Sequence, residues 1–107
     1  MRRIQVVPAN GANLYGNMIA KEIELARRNT GTLHRSGPKL RDRSRWAHSS
    51  YPGWINLARS IGGVICVEVK SKKADAEWQL LQSFLGFLDR HFSNDIQSIN
   101  IQYQEPV

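Results

Sequence analysis

The chain has 107 residues and carries 15 Lys and Arg against 9 Asp and Glu, a formal charge of +6. That length suits one domain, residues 1–107, able to bury its own core, and the single cysteine, Cys66, leaves no internal disulfide. Arg2 and Arg3 are followed by only Ile4 to Val7 before Pro8, too short for a secretory leader, and no apolar run approaches the roughly 20 residues of a membrane span, so a soluble cytoplasmic protein without a membrane partner is expected.

In chain order, Arg3 to Val7 reads as a short strand that Pro8 ends, and Asn13 offers N-cap chemistry for the helix that follows. Leu14, Tyr15, Met18, Ile19, Ile23 and Ala26 recur at helical spacing, Arg27 and Arg28 suit the negative end of the helix dipole, and Asn29 to Gly31 is a C-terminal stop. Thr32 to Ser36 is a brief strand. Gly37-Pro38 then opens a charge-dense stretch without period, an exposed basic loop at about 35–45.

From Arg45 the pattern alternates, with Trp46, His48 and Ser50 on one side and Ala47, Ser49 and Tyr51 on the other. Tyr51-Pro52-Gly53-Trp54 reads as a type II turn. Trp54 to Arg59 is the next strand, Gly62-Gly63 another turn, and Val64 to Lys70 a strand apolar on both faces near its start, where Cys66 is expected to be buried against a helix and inert. Asp75 to Phe92 is the strongest element, a helix whose apolar stripe covers about half its circumference, wider than packing on a sheet requires. Ile96 to Tyr103 closes the chain as an amphipathic strand with Ile99, Ile101 and Tyr103 inward and Asn100, Gln102 and Gln104 outward. This order, β-α-β-β-β-(β)-α-β, predicts an α+β domain with a mostly antiparallel sheet and both helices packed on one face.

The wide helical stripe predicts a homo-oligomer or a partner protein meeting Trp78, Leu81, Phe84, Phe87 and Leu88, since a twofold interface needs only one self-complementary patch. The charge distribution points elsewhere. Between Arg27 and Arg59 stand eight Lys and Arg against Asp42 alone, so this stretch holds +7 and the remainder about −1. Arg35, Lys39, Arg41, Arg43 and Arg45, interleaved with Trp46, His48, Tyr51 and Trp54, form a candidate anion-binding set, because guanidinium groups contact phosphates and aromatic rings stack on unpaired bases. Single-stranded nucleic acid or another polyanion is the specific expectation. A structural or protein-partner module without nucleic-acid binding is the alternative.

An enzyme ranks behind both. His34, His48 and His91 with Arg41, Arg43, Tyr51 and Glu68 are residue types that a metal-independent ribonuclease uses for general acid–base work and for charge stabilisation at phosphorus. Their spacing matches no signature. No catalytic residue, metal ligand set or cofactor is assigned, and for Glu68 a cross-strand ion pair with Arg59 is expected.

Overall fold

Residues 1–103 are described by a computed structural model, and alternation within the strands dictates its layering. The elements are β1 (Arg2–Pro8), α1 (Leu14–Arg27), β2 (Leu33–Arg35), β3 (Arg43–His48), β4 (Trp54–Arg59), β5 (Ile65–Lys70), α2 (Ala74–Phe92) and β6 (Ile96–Gln102). The six strands form one sheet in the order β2-β3-β4-β5-β1-β6, and every neighbouring pair is antiparallel. The domain is α+β in the order that the sequence predicts. Gln104 lies outside the described residues.

Both helices lie on one face, for a topological reason. Antiparallel neighbours make β1 parallel to β2, and β5 parallel to β6, so α1 and α2 are each a crossover between parallel strands, and such crossovers take one hand. α1 crosses toward the β2 edge from a strand running one way. α2 crosses toward the β6 edge from a strand running the other way. Two crossovers of the same hand with both senses reversed emerge on the same side of the sheet. Among the described residues no helix is long and apolar enough to cross a membrane.

Local chemistry sets the ends of these elements. Asn13 caps α1, its side-chain oxygen accepting from the Gly16 backbone N–H at 3.2 Å, and Asn29 and Gly31 leave the helix through positive φ. The β3–β4 connection is a five-residue loop, Ser49 to Gly53, rather than a two-residue turn, because β3 already ends at His48. Gly53 sits at φ +119°, and a Cβ there would run into the Lys70 carbonyl oxygen, so only glycine lets this loop close onto the end of β5.

The core lies between the sheet and the two helices. β1 contributes Ile4 and Val6, β4 Ile55 and Leu57, and β5 Ile65, Val67 and Val69, all buried. The wide stripe of α2 is consumed there: Leu81, Phe84, Phe87 and Leu88 are buried within the single chain, and of the expected interface residues only Trp78, 40% exposed, reaches the surface. A floor of six strands about 4.8 Å apart is broader than one helix about 10 Å wide can cover, so both helices must offer broad apolar faces. Trp46 is the largest fully buried side chain, wedged edge-on against Phe84 and Phe87 at ring separations of 6.2 and 5.2 Å.

Candidate functional site

Among the described residues no helix or strand covers the face of the sheet opposite the two helices. Strand register lays two rows of side chains across it. One row runs Arg45, Asn56, Glu68, Arg3, Gln102 from β3 to β6, and the next runs Arg43, Ala58, Cys66, Gln5, Asn100. Both rows line a trough of about 830 Å³ whose wall is built by Ser36, Gly37, Pro38 and Leu40 of the β2–β3 loop.

That loop is fastened at both ends. The Ser36 N–H donates to the Arg45 carbonyl at 2.7 Å and the Arg59 N–H to the Asp42 carbonyl at 2.8 Å, while the Arg59 guanidinium closes on Asp42 Oδ1 at 2.6 Å. The irregular stretch is therefore Ser36 to Asp42, and the expected basic loop at 35–45 is cut back because Arg35 ends β2 and Arg43 and Arg45 already belong to β3. Arg59 also covers the Tyr15 ring at 5.3 Å. Burial raises the Tyr15 hydroxyl above its ordinary pKa, and the adjacent guanidinium acts in the opposite direction.

The trough is cationic with an amide floor. Arg3, Arg43 and Arg45 approach it from two strands, and among the described residues Glu68 is the one carboxylate that lines it. Arg3 and Glu68 form a loose pair at 3.8 Å. Arg45 is held in position: its Nε donates to Asn56 Oδ1 at 3.0 Å, and its guanidinium lies 4.8 Å from the centre of the Trp54 ring. This contact orients both groups and leaves Trp54 44% exposed. Arg43 has no ion pair among the described residues. Gln5, Asn56, Asn100 and Gln102 supply amide donors and acceptors, and Ala58 and the partly exposed Cys66 keep the centre shallow.

Of the residues expected to bind an anion, the fold thus brings Arg43, Arg45 and Trp54 together on this face. Lys39 and Arg41 stand exposed on the loop, and Arg35 pairs with Trp46 across the β2–β3 ladder, which assigns it to the helix side. Trp46 is corrected outright. Its register partner is the buried Ile55, so it points into the core at 0% exposure and is closed to any ligand. His48 shares that inward parity, and its Nδ1 accepts the Ser50 N–H at 2.9 Å, with the Tyr51 ring 4.7 Å away. Burial, with His34 nearby, holds the His48 imidazole below the ordinary histidine range, which agrees with an Nδ1 that serves as acceptor. Tyr51 stays on the β3–β4 loop, at the mouth of a second depression formed with Lys73 to Ala76.

Two further expectations fall. Cys66 is not buried beneath a helix, because Ile65, Val67 and Val69 take the inward positions of β5 and leave Cys66 on the open face. Glu68 does not pair with Arg59, since the two side chains leave the sheet on opposite faces; Glu68 meets Arg3 and Arg59 meets Asp42. The ribonuclease-like set is dispersed: Glu68 and Arg43 lie on the open face, whereas His91 sits at the end of α2 against Phe87 at 5.1 Å. Arg3, Gln5 and Asn100 are site residues that the sequence reading takes only as strand positions, and Cys66 is one that it takes as buried. Comparison with protein-family models, curated proteins and solved structures finds no match.

Proposed function

We propose that the open sheet face binds single-stranded nucleic acid. The observation that carries this reading is the pair of registered rows, in which three guanidinium groups and four side-chain amides share one shallow trough with Glu68 as its one carboxylate among the described residues. Arg43, Arg45 and Arg3 take phosphates, Trp54 stacks on a base beside Arg45, and the amides of Gln5, Asn100 and Asn56 meet the polar edges of unstacked bases. Lys39 and Arg41 on the loop add long-range attraction. A single strand suits the site because its bases are splayed out and able to reach amides on a sheet floor, which those of a duplex are not.

Titration of labelled single-stranded RNA and DNA oligonucleotides by fluorescence anisotropy tests the reading. Replacing Arg43 and Arg45 together by Gln weakens binding to all sequences, and it flattens the slope of log affinity against log salt by about 0.7 for each phosphate contact removed. Absence of binding in roughly 10 mM salt, where the screening length is about 30 Å, refutes it.

A further inference from the structure

The sheet has two edges of opposite character. The β2 edge is three residues long, Leu33–Arg35, and carries His34 and Arg35. The β6 edge is seven residues long, Ile96–Gln102, with the sequence IQSINIQ and no charged side chain. Among the described residues β6 has one strand neighbour, β1, so its outer backbone groups from Ile96 to Ile101 have no ladder partner. Short length and charged residues are the usual protections of a strand edge, and β2 has both. β6 has neither, and the single irregularity in its pairing, between Val7 and Pro8, lies at its Ile96 end and leaves Ser98 to Gln102 in regular register.

Apolar surface gathers along the same edge. Of the seven large apolar side chains exposed among the described residues, Trp78, Ile99 and Tyr103 belong to it. Trp78 and Tyr103 flank the Arg2 guanidinium at 5.9 and 5.5 Å, and Ile99, Ile101 and Tyr103 recur at the two-residue spacing that keeps them on one side of the strand.

We infer that β6 pairs antiparallel with β6 of a second copy of this chain across a twofold axis. The occupant follows from two properties of the strand. An antiparallel edge is its own hydrogen-bonding complement under twofold rotation. A chain of charge +6 also repels its own copy through most surfaces, whereas at this edge β6 adds no charge of its own and the neighbouring Arg2 guanidinium is paired with Glu77 at 3.1 Å. Pairing centred on Asn100 sets Ile99 of each copy opposite Ile101 of the other on the helix side, and Ser98 opposite Gln102 on the open side. The row from Arg43 through Cys66 and Gln5 to Asn100 then continues through the axis into the same row of the second copy, and the two troughs become one surface.

Sedimentation velocity of the intact chain, free of nucleic acid, tests this independently of the ligand reading. The expected mass is twice 12.2 kDa at high micromolar concentration. Ile99→Lys and Asn100→Lys, placed on opposite sides of the strand, each raise the dimer dissociation constant at least about tenfold by setting like charges beside the axis, with unchanged far-UV circular dichroism spectra showing that the monomer is intact. Arg43→Gln leaves the mass at the dimer value. A monomer at every concentration overturns the inference. So does a dimer that both lysine variants leave undiminished, because the contact then lies elsewhere.

Discussion

Trp46 and Trp54 stand on the two strands of one hairpin, and the structure gives them opposite work. Trp46 is fully buried between Phe84 and Phe87. Truncating such a ring to alanine costs about 3 to 5 kcal/mol. Its indole Nε1 has no hydrogen-bond partner among the described residues, so the same substitution also removes a buried N–H whose lack of an acceptor costs about 1 kcal/mol. The net loss for Trp46→Ala is about 2 to 4 kcal/mol. At about 4 to 8 °C per kcal/mol for a domain of this size, the melting temperature falls by about 8 to 32 °C, and a domain with roughly 5 to 15 kcal/mol of stability still folds. Trp54 is half exposed and contributes a cation–π contact with Arg45. An exposed contact of that kind contributes about 0.5 to 1 kcal/mol, so Trp54→Ala moves the melt by no more than about 8 °C. Its oligonucleotide affinity instead drops by roughly five- to a hundredfold, the equivalent of one lost base stack. Circular dichroism melts and anisotropy titrations of the two variants, side by side, measure both quantities. If Trp54→Ala melts as low as Trp46→Ala, or Trp46→Ala keeps the native melting temperature, the assignment of the two faces is wrong.

Three further outcomes are expected. His48 and His91 are both held below the ordinary histidine range, chiefly by burial, so the unfolded chain takes up their protons first; their contribution to stability is complete above about pH 6.5 and is lost as pH falls below it. Urea midpoints measured from pH 8 to pH 5 therefore decline on the acid side, and replacing both histidines by Gln flattens that decline. Cys66, on the open face, reacts with neutral iodoacetamide in the native state, and bound oligonucleotide slows the reaction; labelling that requires unfolding places the thiol on the wrong face. Gly53→Ala forces a Cβ toward the Lys70 carbonyl at positive φ and lowers stability by about 1 to 3 kcal/mol, read as a lower urea midpoint.

Much of the fold is legible in the sequence because it is written in periodicity: the stripe of α2, the Asn13 cap and the alternation of β6 each fix an element from neighbouring residues. Some of the site is legible too, but only by following parity through. A two-residue turn at Pro52-Gly53 would pair Trp46 with Arg59, whereas the longer loop pairs it with Ile55. Either register sets even-numbered residues of β3 against odd-numbered residues of β4, so Trp46 and Trp54 can never share a face, and Ile55 and Leu57 decide which face is the core. Glu68 and Lys70 make the same argument for Cys66, since all three alternate with Ile65, Val67 and Val69. What local pattern does not contain is the order of the strands. β1 is the first strand in the chain and the fifth in the sheet, between β5 and β6, and that pairing is settled by long-range packing. It carries Arg3 and Gln5 to Cys66 and Glu68, and Asn100 and Gln102 to the far side, so the excess of arginine between Arg27 and Arg59 marks one end of the site while residues from both ends of the chain complete it.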